Sequence, residues 1–90
     1  MEKHLLEIRR ECLQPATYWI RPRGAEVQEV LRRANLSPPE AAAYLGVATA
    51  SRGRQVRKWM SEEAPITYAA WALLCDAAGF VPFWRLDHDK

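Results

Sequence analysis

Apolar residues recur at helical spacing along much of this chain, and breaks in that spacing divide it into short segments. Leu5, Ile8 and Cys12 form one stripe, with Arg9 and Arg10 outside it, which predicts a helix over His4 to Cys12 that Pro15 stops. Val27, Val30 and Leu31 predict a second helix over Ala25 to Ala34, with Arg32 and Arg33 near the negative end of its dipole. Val56, Trp59 and Met60 share one face of a third segment, and Tyr68, Trp71, Leu74, Cys75 and Ala78 line a last one that starts near Thr67 and ends at Gly79. Between the first two helices, Thr17 to Ile20 is β-prone and bounded by Pro15 and Pro22, which predicts extended chain or a short edge strand.

Local punctuation is densest from Ser37 to Met60. Ser37 suits an N-cap, Pro38 the first helical position, and Glu40 the third residue of a capping box. The helix they open runs through Ala41, Ala42 and Ala43 to Leu45 and stops at Gly46. After a small-residue stretch come Arg52, Arg54, Gln55, Arg57 and Lys58, with Val56 and Trp59 between them. A short helix, a glycine turn and a basic helix are the parts of a helix-turn-helix.

Composition narrows the class. Ninety residues at 49% hydrophobic make one domain with a single modest core. No run approaches the length of a membrane span and the charged start does not look like a signal peptide, so the expected location is the cytoplasm. Cys12 and Cys75 form no CxxC pair, and no structural disulfide is expected. The net charge of +2 is unevenly spread. Arg21 to Met60 holds eight basic and three acidic residues, a local +5, and the remainder is −3. A basic centre with acidic flanks favours a polyanion on one face.

Catalytic groupings are not apparent. His4 and His88 lie at the two ends, and there is no phosphate-binding glycine loop, nucleotide motif or zinc-type His/Cys cluster. Asp87, His88 and Asp89 are read as a solvated tail rather than a metal clip. The expectation is therefore a protein that is not an enzyme and takes no cofactor or metal.

The segment resembles the helix-turn-helix of the lambda repressor and Cro (Xre-like) family of regulators, and its surroundings resemble the short phage- or plasmid-borne members. That family has a small residue four positions before the turn glycine, as Ala42 stands before Gly46. Its two apolar positions on the recognition helix match Val56 and Trp59 after an insertion of about four residues, taken as Thr49 to Gly53. The match spans roughly Glu26 to Gly79. It implies an all-α fold: a compact bundle of four to five short helices containing a helix-turn-helix with a lengthened turn. The organisation expected is an N-terminal helix and arm over 1–24, the helix-turn-helix domain over 25–79, and an apolar tail over 80–90.

The function this implies is sequence-specific binding of double-stranded DNA by a transcriptional repressor that occupies promoters, its recognition helix in the major groove. Arg54 and Gln55, at the start of that helix, suit guanine and adenine. Thr49, Ser51 and Arg52 in the turn suit phosphate or further base contacts. Arg57 and Lys58 suit phosphates. Arg21 and Arg23 are placed to act as a basic arm. Thr17 to Ile20 and Phe80 to Leu86 need covering, either in a homodimer or by folding back on the core. The competing expectation is a protein-interaction adaptor, anti-repressor or antitoxin-like, built on the same helices.

Overall fold

The computed structural model describes residues 7–88, with the side chains of 86–88 excepted. Four α-helices carry the fold: α1 (Gly24–Ala34), α2 (Pro38–Leu45), α3 (Arg54–Ser61) and α4 (Tyr68–Ala77). Short 3-10 turns fill the connections at Arg10–Cys12, Ala16–Tyr18 and Thr49–Ser51, and another follows α4 at Phe83–His88. No strand occurs among the described residues. The expected all-α bundle with a lengthened helix-turn-helix turn is what forms.

Helix ends follow local chemistry. At the start of α2, Glu40 N–H donates to Ser37 Oγ at 3.2 Å and Ser37 N–H donates to Glu40 Oε1 at 2.8 Å, the reciprocal capping box. Those bonds to the ionised form hold the Glu40 carboxyl below its ordinary range. Thr67 Oγ1 accepts from Ala70 N–H at the start of α4. All four helices end on a left-handed residue: Asn35, Gly46, Glu62 and Gly79. The N–H of the following residue bonds back five positions in each case, as Val47 does to Ala42 and Phe80 to Cys75.

The core joins one stripe from each helix. Val27, Val30 and Leu31 of α1 meet Ala41 and Ala42 of α2, Val56 and Trp59 of α3, and Trp71, Leu74 and Cys75 of α4, all buried. Ala42 and Ala41 supply no bulk beyond Cβ, which lets α2 and α3 pack closely.

The N-terminal segment departs from expectation. The helix expected over His4 to Cys12 has its first positions outside the described residues, and from Glu7 the chain makes only the 3-10 turn at Arg10–Cys12. The reason is tertiary: Glu26 Oε2 accepts the Arg9 backbone N–H at 3.0 Å, which removes a donor an α-helix would use. Thr17 to Ile20 finds no partner strand, so it closes a 3-10 turn at Ala16–Tyr18 and then runs extended through Trp19. Together these residues strap the bundle. Trp71 Nε1 donates to the Cys12 carbonyl at 2.7 Å, and Tyr68 Oη donates to the Gln14 carbonyl at 3.0 Å.

Candidate nucleic-acid interface

Helix α3 presents two chemically opposite faces. Val56 and Trp59 are buried, anchoring it to α1 and α2, and Arg54 and Arg57 are exposed on the other side, with Gln55 and Lys58 half-buried on the flanks. The period of 3.6 residues sorts RQVRKWMS in this way, since every third or fourth position is apolar and the rest are polar. Gly53 precedes the helix and no side chain caps its first turn. The first N–H groups of α3 therefore have no capping oxygen, and the helix starts with two polar side chains, Arg54 and Gln55.

The turn before α3 is built from unusual backbone. Gly46, Ala48, Arg52 and Gly53 all have positive φ, at 73°, 40°, 54° and 85°. Ala48 and Arg52 have a Cβ, so each costs roughly 1–2 kcal/mol against an ordinary conformation. Two side chains support the turn: Ser51 Oγ donates to the Ala48 carbonyl at 2.9 Å, and Arg57 Nη1 donates to the Arg52 carbonyl at 3.2 Å. Thr49, Ser51 and Arg52 thus lie beside the start of α3, with Thr49 and Arg52 exposed.

Charge pairing separates the arginines into two groups. Glu26 is buried and receives Arg9 through Nε and Nη2, both at 2.8 Å, and the backbone N–H of Arg23 at 2.7 Å. Burial pushes the Glu26 carboxyl up, but the Arg9 guanidinium and these N–H bonds outweigh it and hold it down to about 2. Glu29 is also buried and pairs with Arg32 and Arg33, each at 2.7 Å, and those bonds lower it to about 2. Arg32 and Arg33, expected to complement the α1 dipole, thus hold a buried acid. By contrast, no carboxylate among the described residues lies within ion-pair distance of Arg52, Arg54, Arg57 or Lys58. Glu26 and Glu29 neutralise Arg9, Arg32 and Arg33, while α3 and its turn keep a cluster of four cations without ion pairs, and Arg10, Arg21, Arg23 and Arg85 stand singly elsewhere.

The two arm residues differ. Arg21 is exposed but engaged: its Nε donates to the Ile66 carbonyl at 2.9 Å and its guanidinium lies 5.4 Å from the Trp19 ring centroid. Arg23 is exposed, with its backbone rather than its side chain engaged by Glu26.

The apolar flanks partly fold back. Phe83 is buried, and Trp19, Tyr68, Phe83 and Trp84 form an edge-to-face chain with centroids 4.8–6.4 Å apart. Leu73 and Val81 stay open, at 47% and 74% exposed, and a groove of about 540 Å³ runs between Ala69, Leu73, Pro82 and Trp84. Cys12 and Cys75 are free and buried, and burial raises their thiols to about 11 and 12. No helix of the described chain is long and apolar enough to cross a membrane.

Two Escherichia coli proteins described as transcriptional repressor protein KorC are similar to this chain. One is 50% identical over 80 residues, covering 89% of this chain and 93% of the relative. The other is 51% identical over 78 residues, covering 87% and 91%. No family model matches the chain. No solved structure matches it.

Proposed function

This chain belongs to the KorC family of transcriptional repressors, and from that premise we propose that it represses transcription by occupying promoter DNA with α3 in the major groove. The observation that carries the reading is a cluster of four cations without carboxylate partners among the described residues: Arg54, Arg57 and Lys58 on α3 and Arg52 in the turn before it. A solvated surface needs no such segregation, whereas a phosphate backbone supplies the missing counter-charge.

Residue roles follow from position. Arg54 and Gln55 stand in the first turn of α3, where recognition helices meet base edges; Arg54 reads guanine and Gln55 adenine. Arg57, Lys58 and Arg52 bind phosphate, with Thr49 and Ser51 beside them and the uncapped N–H groups of α3 as further donors. Arg23 is the arm residue that remains open to a phosphate. Residues 25–79 are the DNA-binding unit in this reading, flanked by an N-terminal arm and an apolar C-terminal tail.

The lambda repressor and Cro type is the finer form of this reading. It is supported by Ala42 buried between α2 and α3, Gly46 at φ 73°, and Val56 and Trp59 on the inner face of α3. Two copies acting together on a two-fold operator are supported by the open apolar groove along α4, where Ala69 and Leu73 face outward. The site of action is the cytoplasm.

The test is a titration of the duplex upstream of the protein's own gene beside a scrambled duplex, followed by fluorescence anisotropy at about 150 mM salt. Preference for the native duplex by about 10³-fold or more is expected. Equal weak binding to both, together with salt-insensitive capture of a protein, would replace this reading with the adaptor.

A further inference from the structure

Both ends of α3 lie backbone against backbone with the start of a neighbouring helix. At its start, a Cβ on Gly53 would stand 2.5 Å from the Pro38 carbonyl carbon, 2.6 Å from the Pro39 nitrogen and 2.8 Å from the Pro38 oxygen. At its end, a Cβ on Gly24 would collide with the Met60 carbonyl oxygen. Gly24 also donates its N–H to Glu62 Oε2 at 2.8 Å, and Glu62 is the left-handed residue that terminates α3. Each glycine therefore lies main chain against main chain, and the Glu62 carboxylate adds a side-chain bond at the C-terminal end. Pro38 and Pro39 have φ fixed by their rings, so the surface that Gly53 touches does not yield. Side chains can hop between rotamers, but two backbones in contact cannot.

We propose that Gly53 and Gly24 are positioning residues for DNA readout: they fix the axis of α3 against the starts of α2 and α1, and so aim Arg54 and Gln55. The lengthened turn makes such a device necessary. Seven residues separate Gly46 from α3, too many for the turn alone to set the angle, and the residues around Ala48 and Arg52 reach the needed end point only through left-handed backbone. Gly53 ends that path wedged against α2. The inference rests on the reading that α3 binds DNA, and it adds which residues make that binding selective.

Gly46 provides an internal control. It shares the left-handed conformation, at φ 73° against 85° for Gly53, yet a Cβ built there meets nothing within 4 Å. Gly46→Ala and Gly53→Ala both introduce left-handed strain, and only the second forces α3 off α2. Each variant and the wild-type protein are titrated with native and scrambled duplexes, well below their melting midpoints. Expected is a fall in the native-to-scrambled affinity ratio on the order of 10- to 100-fold for Gly53→Ala, comparable to losing one well-aligned base contact. For Gly46→Ala the ratio should hold within about 3-fold while the melting temperature drops. A purely structural role would lower both melting temperatures and leave both ratios intact.

If Gly53→Ala does not fold, Glu62→Gly decides the matter. It relieves a left-handed non-glycine residue and so preserves stability, and it unties α3 from the Gly24 N–H. A several-fold loss of the ratio at unchanged melting temperature is expected, and an unchanged ratio overturns the inference. A wild-type protein with no preference for the native duplex would sink the DNA reading itself. A wild-type preference that Gly53→Ala retains would sink only the positioning role.

Discussion

Helices α1 and α3 both carry arginines on an outward face, and the fold treats them in opposite ways. Arg32 and Arg33 of α1 close on Glu29, and Arg9 of the N-terminal strap closes on Glu26, so those cations are used up inside the molecule. Arg54 and Arg57 of α3 meet no acid among the described residues, and neither does the neighbouring Lys58. Charge counted along the sequence places Arg32 and Arg33 in one basic centre with the cations of α3. The three-dimensional pairing takes the first group out and leaves the second as a cluster open to a polyanion, which is the difference the proposed interface rests on.

The sharpest way to probe the first group is Arg9→Ala, which strands Glu26 in a buried position. Arg9 is 36% exposed, so the loss is discounted for solvent to about 2–3 kcal/mol of stability. Chemical denaturation measures it, and DNA affinity of the folded protein should be unchanged. A binding defect as large as the stability defect would break the division between the two groups.

Acid should attack the same group. Glu26 and Glu29 titrate near 2 when folded against an ordinary 4.5, so their stabilisation is complete above about 4.5. It is lost as pH falls from 4.5 through 2, because the unfolded chain then takes up protons that the paired carboxylates resist. Thermal melts between pH 5 and pH 2.5 should show a steady decline, steeper in wild type than in Glu29→Gln. Identical slopes would mean that these pairs do not stabilise the fold.

Lys58→Ala addresses the second group with a smaller effect. Native and scrambled duplexes should be weakened alike, and the slope of log affinity against log salt should fall by about 1. Thermal stability should stay within about 0.5 kcal/mol of wild type, as for a half-buried cation with no carboxylate partner among the described residues. A Lys58→Ala protein that weakens only the native duplex would move this residue from phosphate to base.

Much of this arrangement is legible in the sequence, for a physical reason that can be stated residue by residue. Ser37 and Glu40 cap α2, Thr67 caps α4, and Gly46 and Gly79 end their helices, because each signal acts within four or five residues. Val56 and Trp59 are readable as the inner face of α3 because helical periodicity is also local. What escapes is set by distant partners. Arg9 and Glu26 lie 17 residues apart, and their bond turns an expected N-terminal helix into a 3-10 turn. Arg21, which reads as a free basic arm, is drawn to the Ile66 carbonyl 45 residues away. Gly24 and Gly53 look like ordinary loop and helix-start glycines, since nothing in one dimension shows what backbone comes to lie against them. Glu62 is harder still, because glycine or asparagine is the usual choice for the left-handed position it occupies.

The most direct test sets one arginine of each group side by side. Arg54→Ala and Arg32→Ala are titrated with the native and scrambled duplexes, and each is melted in parallel. Arg54→Ala should cost about 1–3 kcal/mol of native-duplex affinity, relax preference at one base position, and leave the melting temperature unchanged. Arg32→Ala should leave both affinities within about 2-fold and lower stability only slightly. Equal effects from the two substitutions, or a larger binding loss from Arg32→Ala, would contradict the assignment of DNA readout to α3.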